Sequence, residues 1–212
     1  MVISPFLAIT RGYKCFLVIA FCAKIPVRGR VASGALYNRK GKYKMVKIDI
    51  ISGFLGAGKT TFIKKMIDEV FKGEKIVLIE NEFGEVGIDG GFLKDAGIEI
   101  TDMNSGCICC SLVGDFGKNL HEVIDKYHPD RILIEPSGVG KLSDVMKSVI
   151  DIEKEEDVKL NGLVTVVNAL KASKQMKAFG EFFNNQIEYA TVVVLSRSQN
   201  ATPEQLELCV KQ

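Results

Sequence analysis

Residues 47–61 read KIDIISGFLGAGKTT. Ile48, Ile50 and Ile51 form a short run of high β-propensity that breaks at Ser52-Gly53. Gly53, Gly58, Lys59 and Thr60 then fill the pattern G-x-x-x-x-G-K-[ST], with Gly56 and Ala57 inside it. Phe62, Ile63, Met66, Ile67, Val70 and Phe71 follow as an apolar stripe at helical spacing. The pattern therefore lies between a strand and a helix, where its mechanism requires it. Glycines let the backbone curl until several N–H groups converge, and the positive end of the next helix adds to the field. Such a nest suits a phosphate chain. Lys59 is expected to reach the β- and γ-phosphates, and the Thr60 hydroxyl to ligate Mg²⁺.

Downstream, apolar strands alternate with amphipathic helices. Ile76–Ile79, Ile98–Ile100, Arg131–Glu135, Leu160–Val167 and Thr191–Leu195 read as strands. Residues 112–127, Leu142–Ile152, Ala169–Phe179, Glu181–Tyr189 and a segment opened by Thr202-Pro203-Glu204 read as helices. This alternation predicts an α/β fold of the P-loop NTPase kind, with a mostly parallel, doubly wound sheet and helices on both faces. The apolar strand RILIE ends in Glu135, and Pro136-Ser137-Gly138 follows at the sheet edge where such folds bind ligands. Glu135 is thus a candidate to hold Mg²⁺ or its water, and Gly138 to offer its N–H to the γ-phosphate.

Two further stretches carry chemistry. Residues 80–91, ENEFGEVGIDGG, have no helical or strand period and hold four acids, so a functional loop is expected. Residues 104–111, NSGCICCS, put Cys107, Cys109 and Cys110 at the predicted start of a helix, where the dipole favours thiolate. Thiolates are ligands for soft metals. A Cys109–Cys110 disulfide and inert buried thiols are the competing explanations. His121 and His128 are the chain's two histidines, and neither is placed to be a ligand.

The first forty-four residues differ from the rest. They hold nine Lys or Arg and no acid, which leaves 19 basic against 26 acidic residues in 45–212. An acidic body argues against nucleic acid as a partner. Cys15–Ala23 is an apolar run of nine flanked by Arg11, Lys14 and Lys24, as in a signal peptide. Pro26 and Arg28–Arg30 replace a small-residue cleavage site, and the run is too short to span a bilayer. An amphipathic membrane anchor is one reading. The favoured one takes Met45 as the natural start, with 1–44 a basic, apolar extension outside the fold. Three of the six cysteines are clustered rather than framed as in a secreted disulfide scaffold, so a cytoplasmic location is expected and a membrane partner is not.

Taken together, GFLGAGKTT, ENEFGEVGID, NSGCICCS, ILIEPSG and the strand-helix-strand tail resemble the CobW-type metallochaperone GTPases, relatives of UreG and HypB. The resemblance covers about residues 45–200. It implies a domain that hydrolyses GTP with Mg²⁺ and delivers Zn²⁺ or Co²⁺ to a client metalloprotein or cofactor pathway. It makes Gly53, Gly56, Ala57, Gly58, Lys59, Thr60 and Thr61 the phosphate loop, and Cys107, Cys109 and Cys110 the metal motif. Glu80 and Glu85 match carboxylates near that metal, and Glu135 and Gly138 the Walker B and switch II positions.

The chain departs from that pattern in places. Where such proteins carry Asn-Lys-x-Asp to read guanine, it has Ser196, Arg197, Ser198 and Gln199. A neutral amide at Gln199 bonds guanine more weakly than a carboxylate. Asn168 stands where Asp is usual. The family's C-terminal domain has no counterpart before Gln212, so 45–212 is expected to be a shortened nucleotide-binding domain, for which a homodimer is an allowed assembly. Two other functions fit the residues: a non-catalytic metal-binding module, and an ATP-using P-loop regulator.

Overall fold

The computed structural model describes residues 7–9, 16–20, 45–80, 99–102 and 113–211. In chain order these build β1 (Leu7–Ile9), β2 (Phe16–Ala20), β3 (Val46–Ser52), α1 (Lys59–Glu69), β4 (Ile76–Glu80) and β5 (Glu99–Asp102). There follow α2 (Val113–Tyr127), β6 (Arg131–Glu135), α3 (Leu142–Ile152), β7 (Val158–Asn168), α4 (Ala172–Ala178), α5 (Gly180–Glu188), β8 (Val192–Ser196) and α6 (Pro203–Lys211). One sheet runs in the order β1-β2-β8-β7-β3-β6-β4-β5. From β8 across to β5 every pairing is parallel. The expected doubly wound α/β fold is therefore present.

Strand residues alternate between two cores, as the pleat requires. Ile48, Ile50, Val77, Ile79, Ile132 and Ile134 face one side, against Leu120 and Val123 of α2 and Leu142, Val145 and Val149 of α3. Ile51, Ile76, Leu78, Leu133, Val166 and Val194 face the other, against Phe62, Ile63 and Ile67 of α1. Both faces being covered explains why these strands are apolar without a break. Val70, expected on the buried stripe of α1, instead caps the helix and is 56% exposed. The helix between β7 and α5 starts at Ala172, later than its sequence suggests. Asn168 forms a turn there, its Oδ1 accepting from Leu170 N at 3.0 Å and its carbonyl from Lys171 N at 2.9 Å.

Of residues 1–44, the described segments 7–9 and 16–20 form two short strands in the same sheet. β2 pairs antiparallel with β8, from Leu17↔Leu195 to Ala20↔Val192, and β1 pairs antiparallel with β2. The physical reason is the open edge of β8, whose backbone donors and acceptors accept any neighbouring segment of high β-propensity, and FLVIA is one.

At the edge of the sheet where β6 begins, a buried polar network ties three elements. Arg131 Nη1 donates to Asp49 Oδ2, and Arg131 Nε donates to Glu74 Oε2 at 2.5 Å. Asn161 Nδ2 donates to Asp49 Oδ1 at 2.7 Å, and the guanidinium lies 4.0 Å from the ring centroid of Phe71. Burial pulls the Arg131 pKa down, but the hydrogen bonds to Glu74 and Asp49 and their charges outweigh it, holding it above the ordinary value. The acidic stretch after α3 is also engaged, with His121 Nδ1 at 2.6 Å from Glu156 Oε1.

Candidate functional site

The phosphate loop leaves β3 at Ser52 and enters α1 at Lys59, and its shape depends on glycine. Gly53 has φ 149°, and a Cβ there would fall 2.4 Å from the carbonyl oxygen of Val166 on β7. Gly56 and Gly58 have φ 69° and 98°, both in the region that L side chains avoid. Gly58 is the residue before α1, and no side chain caps the helix and no acid occupies its first turn. The N-terminal amides of α1 therefore keep their capacity for an anion. Gly53→Ala is expected to lower stability by about 2 kcal/mol, because backbone must move on one strand or the other. Chemical denaturation reads this directly, and an unchanged midpoint would count against the close approach to Val166.

Lys59 and Glu135 meet beneath this loop. Lys59 is 4% exposed and Glu135 is 1% exposed, and Nζ lies 3.7 Å from Glu135 Oε1. A long basic side chain is buried here because a carboxylate receives it. Thr60 and Thr61, in the first turn of α1, are half-buried. Glu80 closes β4 in register with Glu135 at the end of β6, which puts two acids side by side on one edge of the sheet. Gly138 abuts the phosphate loop, since a Cβ there would lie 2.9 Å from Leu55 N.

The segment expected to read the base is joined to the same loop. Ser196 closes β8, is buried, and donates from Oγ to the carbonyl oxygen of Ala57 at 2.6 Å. Arg197 has φ 57°, and both Arg197 and Gln199 are exposed. Asn168 is fully buried, and its Nδ2 has no hydrogen-bond partner among the described residues.

Thus Gly53, Gly56, Ala57, Gly58, Lys59, Glu135, Gly138 and Ser196 converge on one edge, with Thr60 and Thr61 on α1, Glu80 at the end of β4, and Arg197 and Gln199 just after β8. Glu85, Cys107, Cys109 and Cys110, with the acidic loop and the cysteine turn that carry them, lie outside the described residues. Among the described residues no three His, Cys, Asp or Glu gather as a metal site. Cys209 is not a member of the site: it is half-buried on α6, and burial pushes its thiol pKa up.

Two contributors carry no sequence motif. The Phe54 ring in the phosphate loop packs on Phe179, next to α5, with centroids 4.6 Å apart. Gln186 of α5 reaches the loop after β6. Helical periodicity marks neither as more than core.

A family model described as CobW/HypB/UreG, nucleotide-binding domain, matches residues 47–212. The zinc chaperone YeiR of Escherichia coli is 32% identical over 160 residues, covering 76% of this chain and 49% of the relative. The zinc chaperone CobW of Sinorhizobium sp is 37% identical over 127 residues, covering 57% of this chain and 36% of the relative. Among solved structures, Zn(II)-bound YjiA GTPase from E. coli superposes with a TM-score of 0.55 at 24% identity, over 78% of this chain and 53% of that one, a likeness of fold. The chain spans about half the length of the first of these curated relatives.

Proposed function

The chain belongs to the CobW/HypB/UreG nucleotide-binding family, and on that premise we propose that residues 45–212 act as a GTP-hydrolysing domain that drives the handling of a transition metal. The observation that carries this is the buried Lys59–Glu135 pair at 3.7 Å beneath a glycine-shaped nest that keeps its amides for an anion. A lysine in that position gives its charge to the β- and γ-phosphates, and the nest amides hold the β-phosphate. Glu135 and the Thr60 hydroxyl are hard oxygen donors of the kind Mg²⁺ takes, and their place beside the nest suits that ion. When bound, Mg²⁺ would neutralise charge developing on the transferred phosphoryl group. Gly138, packed against Leu55, offers a backbone donor where the terminal phosphate ends.

In this reading the metal is cargo. Zn²⁺ is the first candidate, because relatives are named zinc chaperones, and Co²⁺ the second. Cys107, Cys109 and Cys110, with Glu80 and Glu85, would hold it and pass it to a client metalloprotein or cofactor-pathway protein. Glu80 links the two halves, since it sits in register with Glu135. The proposed setting is cytoplasmic, with neither nucleic acid nor membrane as partner.

The base-reading segment supports a second reading, in which ATP also serves. No carboxylate stands in Ser196-Arg197-Ser198-Gln199, and the Ser196 hydroxyl is already spent on Ala57. Equilibrium titration with fluorescent GTP and ATP, followed by single-turnover hydrolysis with Mg²⁺ and with Mg²⁺ plus Zn²⁺, separates the readings. GTP is expected to bind more tightly than ATP and to be hydrolysed. Equal affinities would favour the relaxed base, binding of Zn²⁺ without any triphosphate would favour a non-catalytic metal module, and binding of neither would sink the proposal.

A further inference from the structure

The loop after β6 is held from outside by one buried side chain. Gln186 is 1% exposed, and its Nε2 donates to the carbonyl oxygens of Gly138 at 3.1 Å and Gly140 at 3.0 Å. Both N–H groups of the amide are therefore used on one short loop. The carbonyl of Gln186 in turn accepts from Thr165 Oγ1 at 2.6 Å, which fastens that residue to β7. Within the loop Gly140 N donates to the carbonyl oxygen of Ser137 at 3.0 Å, closing a turn around Gly138. On its opposite side Gly138 meets the phosphate loop, with Leu55 N 2.9 Å from the place of a Cβ. Gly138 is thus gripped between the nest and an amide anchored in the sheet.

We propose that Gln186 is a positioning residue that sets the backbone of Gly138 for the terminal phosphate, and so lets the pocket distinguish a triphosphate from a diphosphate. The inference rests on reading the pocket as a triphosphate site. A segment containing two glycines, Gly138 and Gly140, has wide conformational freedom, and ordering it at the moment of binding would weaken that binding. The clamp orders it beforehand, so a donor is already in place when charge develops. A diphosphate does not feel this, because the nest and the start of α1 hold its phosphates without the loop after β6. Other ties from α5 act elsewhere: Asn185 Nδ2 donates to Ser143 Oγ at 3.1 Å, Asn185 Oδ1 accepts from Ser143 N at 3.2 Å, and Lys141 pairs with Glu181 at 2.5 Å. These seat α5 against the start of α3.

The test uses Gln186→Met, which keeps the volume and removes both donors, in the full chain. Affinities for GDP and for a non-hydrolysable GTP analogue are measured by fluorescence titration, with kcat and KM for GTP alongside. GDP affinity is expected to stay within about 2-fold, while triphosphate affinity falls roughly 10-fold and kcat roughly 10- to 100-fold, the loss of a preorganised donor. Retained GDP binding also shows that the variant folds. Gln186→Glu keeps the shape but donates only when protonated, so its discrimination should recover as the pH is lowered toward 5. Asn185→Ala, which loosens α5 without touching the clamp, should leave the GTP-to-GDP affinity ratio unchanged. Equal losses for both nucleotides in Gln186→Met, a pH-independent Gln186→Glu, or the same split in Asn185→Ala would overturn the assignment and leave the triphosphate reading standing. An unsubstituted chain that binds no triphosphate would overturn both.

Discussion

Lys59→Ala should slow nucleotide hydrolysis by roughly 100- to 1,000-fold, the usual scale for removing a charge aimed at a transition state. It should also destabilise the protein without nucleotide by about 3 kcal/mol, the cost of taking the cation away from a buried carboxylate. The second effect is what this structure adds to the first. Glu135 is 1% exposed, and the ammonium 3.7 Å away offsets part of the cost of burying its charge. Lys59→Met/Glu135→Gln separates the two: the double variant should recover most of the stability and none of the hydrolysis. Denaturant melts and single-turnover assays on the same preparations check this. If Lys59→Ala unfolds at the parental denaturant concentration, the pair does not hold this corner of the sheet together.

The other large effect lies at the opposite edge. Arg131→Met is expected to cost about 4 kcal/mol and lower the melting temperature by roughly 10 °C. The substitution leaves Asp49, 7% exposed on β3, without its guanidinium partner, and Glu74 loses its hydrogen bonds to Arg131. The cation stacked on Phe71 is lost as well, worth about 1 kcal/mol. Arg131→Met/Asp49→Asn should regain part of the loss, since a neutral amide is far cheaper to bury and Asn161 still reaches its oxygen. Nucleotide affinity of the folded fraction should not change, because Arg131 starts the strand that Glu135 ends. A melting temperature within 2 °C of the parent would show that the network is solvated in solution.

Much of the fold is legible in the sequence because its signals are local. The β-branched strands, the glycine pattern between Gly53 and Gly58, and the 3.6-residue stripe of α1 each state their own structure. Glu135 is legible only through its company, an acid closing an apolar strand in a chain that also has Lys59. What escapes is long-range. Gln186 reads as one more polar residue on an amphipathic helix, and its role exists only because α5 folds back over Gly138 and Gly140. Val70 looks buried because period alone cannot say where a helix stops. The pairing of Phe16–Ala20 with β8 is likewise long-range: a strand edge selects for β-propensity and ignores charge balance.

The Ser196–Ala57 hydrogen bond gives the pocket a rigid frame. On the proposed function, the segment meant for the purine and the loop meant for the phosphates share one short strut, so neither can widen alone. A base that fits poorly would be registered as a misplaced phosphate, and discrimination between purines should then surface in turnover as much as in occupancy.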